Sequence, residues 1–411
     1  MKRREFIKVG TALTAGIPLG LAGSNLTMQT RGNNDAIRIG VIGTGSRGAW
    51  ECYILKETPG IDVVACCDIL PEHLKNGLKN AVKGAKGYEN YKELLAQKDI
   101  DAVLISTPQY LHYQMALDAL AAGKHIICEK TMTLNTEQAV ALSKAVKKTN
   151  FVFQMCYQWQ SIPLFNKIHE MVNDGECGQI THIRCNYNRN GDWRRKVDDP
   201  KLEKVRNWRM YTEYSGGLMS ELCSHHINIV NWMLGSHPEK ITGFGGIDYW
   251  KDGRETYDNV NTIFEYPGGV KATFQAITTN AYENVSIVIM GTEGTIAISK
   301  EQGQVAHFFS ERAKVEKELT EEEMKNVDSI TSATQRAWAR GEPIPIEVEN
   351  NTKDDFEATR AQFLDFVDCV KHNKIPKANI DNGRNVAIAV DLAIKAMDKG
   401  TIQFWKPEYS G

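Results

Sequence analysis

The sequence contains no apolar run of bilayer length, no C-x-x-C pair, no H-E-x-x-H and no internal repeat. A weakly apolar stretch, Val9 to Ala22, is about 14 residues rich in Gly, Ala and Thr, short of the roughly 20 that a spanning helix needs. The missing cysteine and histidine patterns exclude the common zinc and dithiol motifs, so no metal is expected. Net charge of −2 gives no argument for nucleic acid or a membrane surface as partner. Nine cysteines are an odd number, and Cys66, Cys67 and Cys128 sit in runs that read as buried strands, so the thiols are expected to fill cores. What remains is an ordinary globular composition, 42% hydrophobic and 24% charged, long enough for two domains with substantial cores.

The chain is organised around Ile37 to Gly48, IRIGVIGTGSRG. Ile37, Ile39, Val41 and Ile42 make a short β-type run that ends in Gly43-Thr44-Gly45-Ser46-Arg47-Gly48, a G-x-G-x-x-G that should open a helix reaching Lys56. Gly43 permits the tight turn, Gly45 lets a pyrophosphate approach the backbone, and Gly48 lets the helix pack on its strand. The unpaired N–H groups of the helix start then face the phosphates. A second strand, Ile61 to Cys67, ends at Asp68, 20 residues past Gly48, where a ribose 2′-hydroxyl ligand is expected. A carboxylate there repels a 2′-phosphate, so NAD is expected over NADP, with Arg47 as the feature that argues the other way.

Residues 1–32 read as a leader rather than as fold. MKRREFIK carries a paired arginine at Arg3-Arg4 and resembles a twin-arginine export signal, with processing expected after Gly20–Gly23. That route carries folded proteins, so a cofactor can be inserted before export to the periplasm.

Beyond Asp68 strands and helices alternate, as in a doubly wound sheet. Helices are expected over Pro71–Lys83, from Asn90, over His112–Ala122 and over Asn135–Lys148; strands over Ala102–Ser106, His125–Cys128 and Phe151–Met155. Ligands bind at the carboxyl ends of such strands, which singles out Thr107, Pro108, His112, Glu129 and Lys130. Tyr157 to Glu170 reads as one helix opening a second, β-rich domain, with strands at Ile180–Tyr187, Lys240–Gly246, Val260–Tyr266, Val270–Thr279, Val285–Met290 and Gly294–Ile298. Residues 305–355 read as a surface excursion, and two amphipathic helices, Phe363–Lys371 and Arg384–Lys399, close the chain. The expected domains are therefore 36–157 for nucleotide and 158–411 for substrate and oligomerisation.

Three stretches in this order, IGVIGTGSRG, ISTPQYLHYQMALDALAAGKHIICEKT and GGLMSELCSHHINIVNWMLG, resemble the glucose–fructose oxidoreductase/inositol dehydrogenase (Gfo/Idh/MocA) superfamily. The resemblance implies an N-terminal Rossmann doubly wound parallel sheet plus a C-terminal α+β domain with a large open, mostly antiparallel sheet, whose free face commonly makes a homo-oligomer. It also implies catalytic roles. The family's Glu-Lys-Pro after the fourth strand is here Glu129-Lys130-Thr131, so Lys130 inherits the lysine's role and the proline's bend is open. A strand-end lysine beside a nicotinamide suits hydrogen bonding or proton transfer to a reacting hydroxyl.

Ser220 to Met233 reads as a helix with Glu221 and His225 four apart on one face and His226 about 100° away. In the family pattern, an aspartate, a histidine and an aspartate, this chain has Glu221, His225 and Asn228. His225 thus inherits the general-base role, and Glu221 either contacts substrate or orients the histidine. The cofactor set is expected to include Ser46 and Gln158. Tyr157, Asn188, Trp193, Arg194, Trp208, Arg209 and His226 are the candidates for a sugar, since tryptophan faces stack on its C–H face while Arg and Asn bond its hydroxyls. The expected activity is oxidation or reduction of a ring hydroxyl, at carbon 3, of a sugar or glycoside; the alternative is a redox-neutral glycoside hydrolase working by oxidation and elimination.

Overall fold

The computed structural model describes residues 36–299, 304–311, 341–352 and 354–409. The leader, and the part of the excursion between 312 and 340, lie outside the described residues. No helix among the described residues is long and apolar enough to cross a membrane.

The first sheet has six parallel strands: β1 (Ile37–Ile42), β2 (Ile61–Cys67), β3 (Lys86–Tyr88), β4 (Ala102–Ile105), β5 (His125–Cys128) and β6 (Phe153–Met155), in the order β3-β2-β1-β4-β5-β6. Its central strands are buried on both faces, the reason they read as unbroken apolar runs rather than alternating ones. Helices α1 (Ser46–Lys56), α2 (Pro71–Leu78), α3 (Tyr91–Leu95), α4 (Gln109–Ala121) and α5 (Thr136–Val146) connect them. Asn90 and Asn135 cap α3 and α5 by accepting from backbone N–H groups two and three residues on. α2 stops five residues short of the expected Lys83. The three residues of β3 follow, an exposed edge strand too short and too glycine-bearing to show a period.

The expected helix from Tyr157 to Glu170 is two pieces, a 3₁₀ turn (Gln158–Ser161) and then α6 (Pro163–Asn173), because Pro163 at the first helical position cannot continue the preceding turn. The second sheet is nine-stranded: β7 (Ile180–Asn190), β8 (Lys240–Gly246), β9 (Asn259–Glu265), β10 (Lys271–Ile277), β11 (Thr279–Gly291), β12 (Gly294–Ser299), β13 (Val305–Ser310), β14 (Ile344–Pro345) and β15 (Gln403–Phe404), ordered β14-β13-β12-β11-β7-β10-β9-β8-β15. All its pairings are antiparallel except β7 with β10. Val305–Ser310, expected as surface excursion, extends this sheet. Buried residues of β9 and β10 alternate with exposed or half-buried ones, so one face packs and the other is open.

After β7 come the short helix α7 (Glu203–Arg206) and α8 (Ser224–Met233). The last two helices, α9 (Asp355–His372) and α10 (Ile380–Lys399), start on the caps Asp354 and Asn379. α9 was expected with the second domain, yet Phe363, Phe366 and Val367 close a core with Cys52 and Leu55 of α1 and Ile39 of β1. α10 is the wedge between halves: Asp391 accepts from the backbone and hydroxyl of Thr136 at the start of α5, while Gly383 sits against Met132 and Met155. All nine cysteines are buried thiols distributed through these cores.

Candidate functional site at the carboxyl ends of the first sheet

Gly43 has φ of +88°, and a Cβ there would stand 2.7 Å from the carbonyl oxygen of Ser106. A Cβ on Gly48 would meet the Gly43 carbonyl oxygen at 1.9 Å, so the loop closes onto α1 only with glycine. Gly45, by contrast, has nothing nearer its missing Cβ than His73 at 3.6 Å, which leaves that side of the loop open. It is also the N-cap of α1 and offers no side-chain cap, so the first N–H groups of the helix await an acceptor.

Asp68 stands at the end of β2. One carboxylate oxygen accepts from the Thr44 N–H at 2.8 Å and the other from the Leu70 N–H at 2.9 Å, with His73 Nδ1 at 3.6 Å. Burial would raise its carboxyl, but His73 and the two backbone donors hold it below its usual value. The oxygen that accepts from Thr44 keeps a further lone pair for a ribose hydroxyl.

Arg47 does not point out toward a 2′-phosphate. Its Nε donates to Glu129 at 2.6 Å and to Glu51 at 3.1 Å. Glu51, fully buried, also accepts from Ser106 Oγ at 2.8 Å. Burial, opposed by Arg47, pushes the Glu51 carboxyl up, whereas Glu129, despite its own burial, is held down by Arg47 and Lys130. Glu51, Glu129 and Cys156 bring ligand atoms within 4.8 Å of one another, a set that could chelate; the guanidinium already supplies the positive charge there.

From Glu129 the chain of charges continues to Lys130, Glu221 and Arg209. Glu129 accepts from the Lys130 N–H at 2.9 Å, and Lys130 Nζ reaches the backbone oxygen of Glu221 at 2.9 Å and its carboxylate at 3.3 Å. Arg209 Nε donates to the same carboxylate oxygen at 2.9 Å, and its guanidinium lies 4.1 Å from the ring centroid of Trp208. Burial would raise the Glu221 carboxyl, but Arg209 and then Lys130 keep it below the ordinary range. Glu221 is therefore the anion between two cations, a role that the extra methylene over aspartate lets it reach.

The helix carrying Glu221 passes through a π-turn, Met219–Cys223, before α8. The wider turn shifts the face relation expected from a spacing of four. His225 stacks on Trp159 at 5.2 Å and is edge-on to Tyr157 at 6.1 Å. His226 was expected at the substrate but is 1% exposed, edge-on to Trp159 and Tyr187. Tyr157, also expected at the substrate, is 1% exposed.

Other expected substrate residues are placed elsewhere. On β7 Tyr187 faces His226, and so the next residue, Asn188, turns to the open face, where it donates to the Tyr282 carbonyl at 2.8 Å and accepts from Gln275. Arg194 is a strut, paired with Glu203 at 2.6 Å and Asp252 at 2.8 Å. Trp193 packs against the core, with the Arg189 guanidinium 5.4 Å from its ring. Of the substrate set, Arg209 reaches Glu221, and Trp208 lies against the Arg209 guanidinium.

Among the expected cofactor residues, Pro108 precedes α4 as its N-cap, and His112 braces the site rather than lining it. Its ring nitrogens lie 2.9 Å from the carbonyl oxygens of Thr107 and Thr131, and burial pushes the imidazole below its usual pKa. Gln109, which sequence reasoning missed, bonds the Thr131 hydroxyl, the Thr133 carbonyl at 2.9 Å and the Gly216 N–H at 2.9 Å. The Lys130–Thr131 bond is cis. Gln158 is 7% exposed, and its side-chain oxygen finds no partner among the described residues.

This geometry has relatives. Residues 37–157 match the oxidoreductase family's NAD-binding Rossmann fold, and residues 165–297 match the GFO/IDH/MocA C-terminal domain. The chain belongs to the GFO/IDH/MocA oxidoreductase family. It is 26% identical to 2,7-anhydro-N-acetylneuraminate hydratase of Escherichia coli (strain K12) over 75% of this chain and 80% of that one. It is likewise 26% identical to scyllo-inositol 2-dehydrogenase (NAD(+)) of Bacillus subtilis (strain 168), over 64% and 73%. Among solved structures, levoglucosan dehydrogenase in complex with NADH and L-sorbose shares the fold, with a TM-score of 0.74 and 18% identity over 90% of this chain and 99% of that one. NAD fits the GFO/IDH/MocA site on this chain's own geometry: an open, uncapped helix start at Gly45, a fixed carboxylate at Asp68 and an orphaned buried oxygen on Gln158.

Proposed function

We propose that this protein is an NAD-dependent oxidoreductase that acts on a ring hydroxyl, at carbon 3, of a sugar or glycoside, and that it keeps its cofactor tightly bound. The observation that carries the reading is the Lys130–Glu221–Arg209 cluster past the carboxyl end of β5, with His225 four residues beyond Glu221 on α8. Gly43, Gly45, Ser46, Gly48 and Asp68 would hold the dinucleotide, with Thr107, Pro108, Glu129 and Gln158 at its nicotinamide half. Bound there, NAD supplies the hydride acceptor. His225 takes the hydroxyl proton, and the Lys130 ammonium hydrogen-bonds the oxygen on which charge develops. Glu221 holds Lys130 and Arg209 in place, while Trp208 offers a face for the sugar ring. Asp68, together with the inward turn of Arg47, supports NAD over NADP.

A second reading has its own support in the likeness to a hydratase: a redox-neutral glycoside cleavage in which oxidation at carbon 3 acidifies the neighbouring C–H and allows elimination. Incubating purified protein with a panel of glycosides, while following absorbance of bound NADH and product masses, separates the two. Oxidised sugar with accumulating NADH supports the dehydrogenase. Release of an aglycone with no net NADH overturns it in favour of the second reading.

Export through Arg3-Arg4 and assembly through the open face of the second sheet belong to the same proposal. Free dinucleotide is scarce outside the cytoplasm, so an exported enzyme must carry its own. Protein recovered from the periplasm should hold about one NAD per chain, and a dissociation constant of about 1 nM, roughly 12 kcal/mol, would suffice. Empty periplasmic protein that needs millimolar NAD would refute the bound-cofactor model.

A further inference from the structure

Between β7 and the π-turn, the chain leaves the second sheet and crosses to the nucleotide loops of the first. Two arginines make the crossing. Arg195 Nη2 donates to Ser46 Oγ at 3.0 Å, at the first residue of α1, and Arg206 pairs with Glu72 in the first turn of α2.

The base of this segment is rigid where Arg195 leaves it. Asn207, 2% exposed, accepts from the Arg195 N–H at 2.7 Å and donates to the Arg195 carbonyl oxygen at 2.9 Å, while the same amide holds Glu203 at 3.0 Å. Arg194 is fixed to Glu203 and Asp252, and Arg254 to Asp192 and Asp252. A buried side chain that brackets one residue's backbone from both sides fixes where that residue's side chain starts. Here the side chain is a guanidinium, and it ends on the glycine-rich loop.

That loop has an incomplete electrostatic set. Its helix start is uncapped and open at Gly45, but its own arginine, Arg47, is turned inward to Glu51 and Glu129. A pyrophosphate seated there would meet backbone N–H groups without the guanidinium of the loop itself. Among the described residues, Arg195 spends one of its five N–H donors on Ser46 Oγ and keeps the others in a planar fork suited to phosphate oxygens.

We infer that Arg195 is a cofactor-binding residue supplied by the second domain. Its guanidinium bonds the pyrophosphate, and residues 191–209 form an arch over the adenosine half of the dinucleotide, latched by Arg206 and Glu72. The inference rests on the NAD site described above and adds to it the group that slows cofactor escape.

The test uses the full chain, stripped of nucleotide and reloaded. In Arg195→Ala, NADH should dissociate about 10- to 100-fold faster, the loss of one charge-assisted phosphate contact. ADP should weaken in parallel and adenosine, which has no phosphate, should not; Arg195→Lys should restore part of the difference. The nucleotide-free melting temperature should stay at the wild-type value, while the rise on adding NAD shrinks. Equal NADH and ADP binding by wild type and Arg195→Ala would overturn the arch and leave the functional reading standing. Equal weakening of adenosine and ADP would overturn it too, since that is the mark of a disturbed fold. A wild-type chain that takes up no NAD would overturn the functional reading and this inference together.

Discussion

As candidates, Lys130 and His225 were legible from the sequence because each stands in a stretch that keeps its pattern, at a strand end and on a helix. Their neighbours were less so. Glu221 could be placed only once the π-turn was seen, since a spacing of four residues says nothing about a widened turn. Tyr157, Asn188, Arg194 and His226 have the right chemistry for a sugar, but burial, strand parity and ion pairing commit them elsewhere. Lys130→Met and His225→Asn should each cut turnover by about 10²- to 10⁴-fold while NADH titration shows largely intact cofactor binding; near-normal turnover in either would remove that residue from the proton path. Glu51 gives a second prediction. Its carboxyl is raised from 4.5 to about 8 in the folded protein, chiefly by burial, so between those values the folded state holds a proton that the unfolded state releases. Stability from this group is therefore full below the unfolded pKa and is lost as pH rises through about 8. Glu51→Gln keeps the neutral form and a donor toward Glu129. Its melting temperature should change less than the wild type's between about pH 6 and about pH 9; identical profiles would show that Glu51 is ionised throughout.

At the level of elements, the alternation of strands and helices up to Met155 could be read directly, because buried parallel strands are short unbroken apolar runs and their helices carry recognisable caps. What escaped were elements whose existence depends on distant partners. β3 is three residues made a strand only by pairing with β2, and β13 is a strand only because β12 offers an edge. Helix α4 shows the same dependence at the site: its first turn carries Gln109 and His112, and these fix the Thr131 end of β5 and, through Gly216, the start of the π-turn. Gln109→Ala leaves the Gly216 N–H and the Thr133 carbonyl without this partner, at a cost of about 1–3 kcal/mol for each buried group left unmet. The variant should melt lower and lose turnover more than it loses NAD affinity, as measured by calorimetry and steady-state kinetics on one preparation. Wild-type kinetics would show that Lys130 is positioned without the brace.

At the scale of the whole molecule, the open face of the second sheet is an exposed surface among the described residues. On the open face of the second sheet, register places Phe244, Ile263 and Phe404 on the same side, 85%, 48% and 57% exposed, while their strand neighbours Ile241 and Phe264 are buried. Exposed aromatics on an open sheet face are the kind of patch that a second copy covers. Phe244→Asp should shift the mass in light scattering from oligomer to single chain with the melting of the first sheet's core unchanged; a wild-type protein that is already a monomer at micromolar concentration would end the oligomer proposal.

The nine buried thiols make the molecule its own recorder of opening. Cys52, Cys66, Cys67, Cys128 and Cys156 lie with the first sheet, Cys177, Cys185 and Cys223 with the second half, and Cys369 on α9, which closes the first core. A thiol reagent can reach each only when its surroundings part, so the order of labelling in time gives the order in which regions breathe. On the proposed site, bound dinucleotide would join the glycine-rich loop to the strand ends around Cys128 and Cys156. Adding NAD should slow labelling at those two more than at Cys185, a difference that mass spectrometry of timed digests can read residue by residue.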